Sequence, residues 1–193
     1  MKNRRKRIKN DRTVMAVPVA MALACTAQAH AAGSQPIHAQ DIRPFAGKSL
    51  EAQVQELADR EEIRQLVAVY AQRVNHGHGI ADLFTDDAVW TMREPGSDEV
   101  REIAGIDALT AAFSSFKADI GYPAPMIHNI VIAVEGDTAR AISMNDLWSS
   151  ADGKSYHAWG NYEDTFRRVG GKWLFSRRDM TFAHRIAVPE GKD

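Results

Sequence analysis

Apolar residues recur first at helical spacing and later in alternation along this chain. From Ser49 onward, Leu50, Val54 and Leu57 share one helical face, and Asp59-x-x-Glu62 resembles a capping box that restarts the helix. Ile63, Leu66, Val67, Tyr70 and Val74 continue at steps of three and four, which predicts an amphipathic helix facing a core. Asn75-His76-Gly77-His78-Gly79 ends the pattern, and Ile80–Phe84 allows one further short turn. Ala88–Met92 reads as a short strand, and Ile106–Phe116 as a second helix with Leu109, Phe113 and Phe116 on one side.

From Met126 the period drops to two. Strands are predicted over Met126–Val134, Thr138–Ser149, Ser155–Arg168 and Lys172–Phe182, separated by Glu135-Gly136-Asp137, Asp152-Gly153 and Gly170-Gly171. Helices followed by a meander of long antiparallel strands define an α+β domain with helices covering one face of a curved sheet. Strands of this length twist, so the sheet should roll into a trough enclosing an apolar pocket.

The first 31 residues follow another logic. Seven basic residues precede an apolar run of 13 residues, Thr13–Cys25, and then Ala27-Gln28-Ala29 and Ala29-His30-Ala31 fit an A-x-A cleavage pattern. That order is a signal peptide, and Arg4-Arg5 gives it a twin-arginine flavour, so the mature protein is expected to be periplasmic or secreted and free of the membrane. Residues 32–48 read as a linker, 49–185 as the domain and 186–193 as a tail. Beyond residue 29, 17 basic residues face 24 acidic ones, a net charge of −7. An acidic body of this kind argues against nucleic acid as a partner. Cys25 is the single cysteine and supports neither an internal disulfide nor a thiolate metal site.

Glu62-Ile63-x-x-Leu66-x-x-x-Tyr70, followed by Leu83-Phe84-Thr85-Asp86-Asp87-Ala88-Val89-Trp90, resembles the SnoaL-like branch of the nuclear transport factor 2-like superfamily. Gly105-x-Asp107-Ala108-Leu109, Tyr162-x-Asp164-x-Phe166-x-Arg168 and Gly171-x-Trp173 add to the likeness, which runs from about Gln55 to Met180. The resemblance implies a cone: a curved antiparallel sheet wrapped around N-terminal helices, with the site inside. Scytalone dehydratase, bile-acid dehydratase and hexachlorocyclohexane dehydrochlorinase belong to this group, and the dehydratase-like members use acid–base chemistry without metal or organic cofactor. Family habit implies a homodimer or homotrimer.

His128 leads the candidates for chemistry. It alternates in phase with Ile130, Ile132 and Val134, which places its ring on the core side. There it is either a hydrogen-bonded structural histidine or, as the resemblance implies, the general base. Tyr70-x-x-x-x-Asn75 has the spacing of the relatives' tyrosine and partner acid, but Asn75 is an amide: it can hold a tautomer and cannot raise the histidine's basicity. Tyr70 is either a polariser of a substrate oxygen or an amphipathic core tyrosine. Asp146, inside an apolar-flanked strand, lies on the solvent face or serves as a replacement acid. Trp90, Met92, Phe113, Trp148 and Tyr162 are expected to line the pocket or pack the core. His76-Gly77-His78 lacks a carboxylate framework for a metal. His157 points away from the pocket if Tyr162 faces it, towards a subunit contact. Arg177 and Arg178 read as surface or rim charges.

These readings lead to an exported, cofactor-independent acid–base lyase, dehydratase-like, acting on a small hydrophobic cyclic molecule. Two alternatives use the same pocket: an isomerase, and a non-catalytic periplasmic binder of a small apolar ligand.

Overall fold

The computed structural model describes residues 37–38, 41, 47–120, 123–151 and 153–189, with backbone alone at 115–120 and 151. The expected signal peptide and most of the expected linker lie outside the described residues.

Helix α1 spans Leu50–His76 without interruption. The Ser49 side chain accepts from the Ala52 N–H at 3.2 Å, and Gly77 closes the helix in the left-handed region at φ 69°. The expected restart at Asp59 does not occur, because that carboxylate is buried and engaged elsewhere. It accepts from Gln55 at 3.0 Å, from Arg168 at 2.6 Å and from Trp173 Nε1 at 3.3 Å. Burial works to raise the Asp59 pKa, but these donors outweigh it and hold the carboxyl low. Glu56 and Arg60 are buried one turn away, paired at 2.7 Å, with Lys48 on Glu56 and the Ile132 carbonyl accepting from Arg60. The buried stripe of α1 therefore opens with charges and turns apolar at Ile63, Val67, Tyr70 and Val74. Leu50, Val54 and Leu57, expected to face the core, are exposed instead.

A 3₁₀ turn at Ala81–Leu83 leads into β1 (Phe84–Arg93), β2 (Val100–Ala104) and helix α2 (Ile106–Ile120). Strands β3 (Ala124–Glu135), β4 (Thr138–Ala151), β5 (Lys154–Val169) and β6 (Lys172–Val188) follow as hairpins. All six form one curved, unclosed sheet in the order β2-β1-β6-β5-β4-β3. The expected all-antiparallel sheet is in fact mixed, since β1 runs parallel to β6. The chain reverses from β1 to β2, crosses by α2 to the far edge without a further reversal, and then reverses three times, so an even total of four brings β6 alongside β1 in the same direction. The short, exposed β2 had no period-two signal to reveal it. Strand β6 continues six residues beyond the expected Phe182, pairing with β5 as far as Val188.

Three bulges decide which side chains face inward. Between β3 and β4, His128 pairs with Met144 and Val131 with Ile142, so β3 holds one extra residue, with Asn129 at φ 53°. Between β5 and β6, Ser176 and Ala183 are the unpaired extras. Each extra residue exchanges the inward and outward phases beyond it. The inner face of β6 therefore carries Trp173 and Phe175, then Arg178, Met180 and Phe182, then Arg185. Gly160 lies opposite the second β6 bulge, where a Cβ would stand 1.9 Å from the Thr181 carbonyl oxygen. Only glycine fits there.

The core lies between α1, α2 and the inner face, around Ile63, Val67, Leu109, Ile132, Phe166 and Phe175. Phe175 stacks on Phe84 at 5.1 Å and leans on Phe166 at 4.9 Å. Among the described residues no helix is long and apolar enough to cross a membrane.

Candidate active site

A cavity of about 240 Å³ opens beside this core, lined by residues of α1, α2 and all six strands. Tyr70 and Val74 enter it from the last turns of α1, Phe113 from α2, Trp90 and Met92 from β1, and Tyr162 from β5. All of the predicted lining except Trp148 is therefore brought together. Pro125, Leu147, Met180 and Phe182 complete an apolar middle, and Glu94, Arg101 and Arg185 stand in the wall as well.

The distinctive part is a buried polar layer behind Tyr70 and Tyr162. Arg178 is fully buried, directly across from Asp164 in the β5–β6 ladder, with Nε 3.6 Å from the carboxylate. Its guanidinium lies over the faces of Tyr162 at 3.7 Å, Tyr70 at 4.1 Å and Phe175 at 4.7 Å. Neither the three nitrogens of Arg178 nor the two oxygens of Asp164 has a hydrogen-bond partner. Ser143, Asn145 and the Trp90 Nε1 are buried and unpartnered too. A buried ion pair without hydrogen bonds is unfavourable for stability, and a concentration of unsatisfied polar atoms marks a functional region.

Burial sets the protonation here. It pushes the Asp164 carboxyl up to about 7, with Arg178 opposing and Asp179 and Glu163 adding to the rise. Tyr70 is driven well above the ordinary tyrosine value by burial and by Tyr162, with Arg178 partly opposing. Tyr162 also moves up by burial, less so because Arg178 and the Tyr70 hydroxyl favour its ionised form. The Tyr70 and Tyr162 rings meet edge to face, with centroids 6.4 Å apart. Both phenols are thus neutral donors backed by a fixed cation. Such an arrangement stabilises negative charge developing on a substrate oxygen.

Four expected site residues lie elsewhere. His128 is exposed on the outer face beside its ladder partner Met144, which is itself 44% exposed. The Asn129 bulge breaks the alternation that had placed the ring inward. Asn75 is not in the cavity wall; its Nδ2 donates to the Pro123 carbonyl at 3.0 Å and ties the end of α1 to the start of β3. Asp146 and Trp148 share the outward phase of β4, because Ser143, Asn145 and Leu147 take the inward one. There Asp146 meets His157 Nε2 at 2.7 Å and Trp148 stacks on the same ring at 4.4 Å. His157 points outward, opposite in phase to Tyr162. His76 and His78 are exposed.

Arg178 reverses the expectation of a surface charge, for the Ser176 bulge turns it inward and leaves Arg177 outside. Asp164 carried a visible signal: it alternates with Tyr162 and Phe166, a carboxylate in an apolar phase. Arg178 carried none without the bulge.

The SnoaL-like domain family matches residues 55–179. No curated protein matches the chain. Among solved structures, an NTF2-like protein with a cystatin-like fold from Novosphingobium aromaticivorans is 26% identical, with a TM-score of 0.59 over 69% of this chain and 87% of its own. A scytalone dehydratase-like protein from the same organism is 19% identical, at TM-score 0.60 over 70% and 91%. A type 2 hexachlorocyclohexane dehydrochlorinase is likewise 19% identical, at TM-score 0.63 over 70% and 93%.

Proposed function

This chain belongs to the SnoaL-like domain family, and on that premise we propose that it is a cofactor-independent acid–base lyase for a small hydrophobic cyclic substrate. The observation that carries this reading is Arg178, fully buried behind the Tyr70–Tyr162 pair, which itself lines the chamber beside its apolar middle. A pocket meant only to hold hydrocarbon gains nothing from a desolvated cation.

In an elimination, Tyr70 gives its proton to the departing oxygen, which leaves as water, and Tyr162 supports the charge. The carbon-bound proton goes to Glu94, the one carboxylate among the described wall residues, and its bonding electrons form the double bond. Exchange with solvent then restores both groups. His128 has no part in this scheme, since its ring is outside. The dehydratase-like and dehydrochlorinase neighbours support an elimination over other acid–base chemistry.

Incubation with cyclic alcohols and ketones in deuterated water tests it. Deuterium should enter the ligand carbon in the native protein and not in Tyr70→Phe or Glu94→Gln. Ligand binding without exchange in any of the three would establish the second reading, a binder without turnover. That reading has one observation in its favour: the described wall holds no histidine, and its carboxylate is tied to Arg185 at 3.2 Å.

We also propose export to the periplasm or beyond, on the signal-like first 31 residues, and assembly as a homodimer or homotrimer. The outer sheet face supports a contact with a second copy, since Met126, Val131, Ile142, Met144, Trp148 and Ile186 are all exposed there. Light scattering of native protein and of Trp148→Arg checks the assembly.

A further inference from the structure

We propose that the chamber takes a cyclic monocarboxylate, with the ring in the apolar middle and the carboxylate held at the rim by Arg101 and Arg185. This rests on the reading of the chamber as a substrate site and adds the class of molecule that fills it.

The inner face of the sheet is graded along the strands. The Trp90 row holds Arg178 and Asp164, and the next row aligns Arg101, Met92, Met180, Tyr162 and Ser143 by ladder register. Phe182 and Gly160 follow, then Arg185 opposite Ala158. Among the described wall residues, Arg101, Arg185 and the Glu94 beside it have the open side chains, so the cavity meets solvent at two arginines and one carboxylate.

Both are aimed there by construction. Arg101 pairs with Met92 across the β1–β2 ladder and shares its inward face. The Ala183 bulge turns Arg185 inward, where its guanidinium lies over Phe182 at 5.1 Å. Glu94 occupies one edge of Arg185 at 3.2 Å, while Arg101 has no ion-pair partner among the described residues. A guanidinium offers five N–H donors, so the rim keeps free donors and one unit of net positive charge. That is notable on a body whose formal charge beyond residue 29 is −7.

Size narrows the class further. About 240 Å³ equals roughly eight water volumes, enough for one or two rings. An oxygen function on the ring would reach the Tyr70–Tyr162 pair while the carboxylate stays at the rim. The expected ligand is thus a hydroxylated or oxo cyclic acid, not a neutral hydrocarbon.

Calorimetric titration of the full chain with cyclohexanecarboxylate and cyclohexanecarboxamide tests this, because the two share ring and shape and differ in charge. The carboxylate should bind about tenfold more tightly at low ionic strength, and salt should erode the difference. Arg101→Gln should remove most of the preference and leave amide affinity in place; Arg101→Gln with Arg185→Gln should abolish it. Equal affinity for the two probes in native protein overturns the proposal and leaves the chamber reading standing. So does a preference that survives both substitutions. Failure of both probes to bind at all would bring down the chamber reading and this proposal together.

Discussion

Two carboxylate pairs, one with a histidine and one with an arginine, occupy opposite faces of the same sheet. On the outer face Asp146 meets His157 at 2.7 Å, in hydrogen-bond contact, with both side chains partly open to water. On the inner face Asp164 stands 3.6 Å from Arg178, without a hydrogen bond and sealed from solvent. The outer pair has the better geometry and the lesser consequence. Water screens it, so losing it exposes two groups that solvate readily. The inner pair is poorly made, yet removing either member would strand a charge in a low-dielectric interior. Evidence of function lies with the pair that stability alone does not justify.

The comparison can be broken most forcefully from the inside. Asp164→Ala should destabilise the fold by about 3–5 kcal/mol, read from urea unfolding midpoints. Adding Arg178→Met should recover most of that loss, because the stranded charge goes with it. If Asp164→Ala were as mild as an outer-face substitution, the inner pair would not be buried as described.

Titration of the same carboxylate gives the next effect. Its folded pKa is raised, from 3.8 to about 7, so the folded state holds that proton more tightly than the unfolded one. The resulting stabilisation is complete below about pH 4 and fades as pH rises through 7. Asp164→Asn should flatten the stability profile across that window. Glu56, Asp59, Asp82 and Asp87 have lowered values and act in the opposite sense, losing stability as acid protonates them.

Gly160→Ala follows, at about 1–3 kcal/mol for forcing a methyl against the Thr181 carbonyl. Because relief requires shifting the β5–β6 register, the substitution should also weaken carboxylate binding at Arg185. Tyr70→Phe should change stability by about 1 kcal/mol or less and lower turnover by about a hundredfold or more. His157→Ala, on the outer face, should change stability by about 1 kcal/mol or less, checked by the same unfolding curves. A larger effect that depends on protein concentration would place the outer pair in a subunit contact.

Legibility from sequence followed the regularity of each segment. The stripe Ile63–Val74 placed Tyr70 on a buried face, and Trp90, Met92, Phe113 and Tyr162 were expected to line the pocket or pack the core; Asp164 shared the phase of Tyr162 but was not singled out. Leu50, Val54 and Leu57 misled because apolar spacing says nothing about whether a partner surface reaches that far along the helix. Instead Glu56, Asp59 and Arg60 took the covered face, Asp59 and Arg60 satisfied by the distant Arg168 and Ile132 and Glu56 by Arg60 and Lys48. No local pattern announces such partners.

Periodicity alone determined that this chain is α+β, with helices laid on a long-stranded sheet around an aromatic pocket, because burial of one face imposes its period on the residues that form it. Tertiary structure decided what that pocket contains. An extra residue at Asn129, Ser176 or Ala183 costs the local pattern almost nothing, yet each one exchanges inside for outside along the rest of its strand. His128 was thereby turned out and Arg178 and Arg185 turned in, and only the pairing of neighbouring strands records where the count slips.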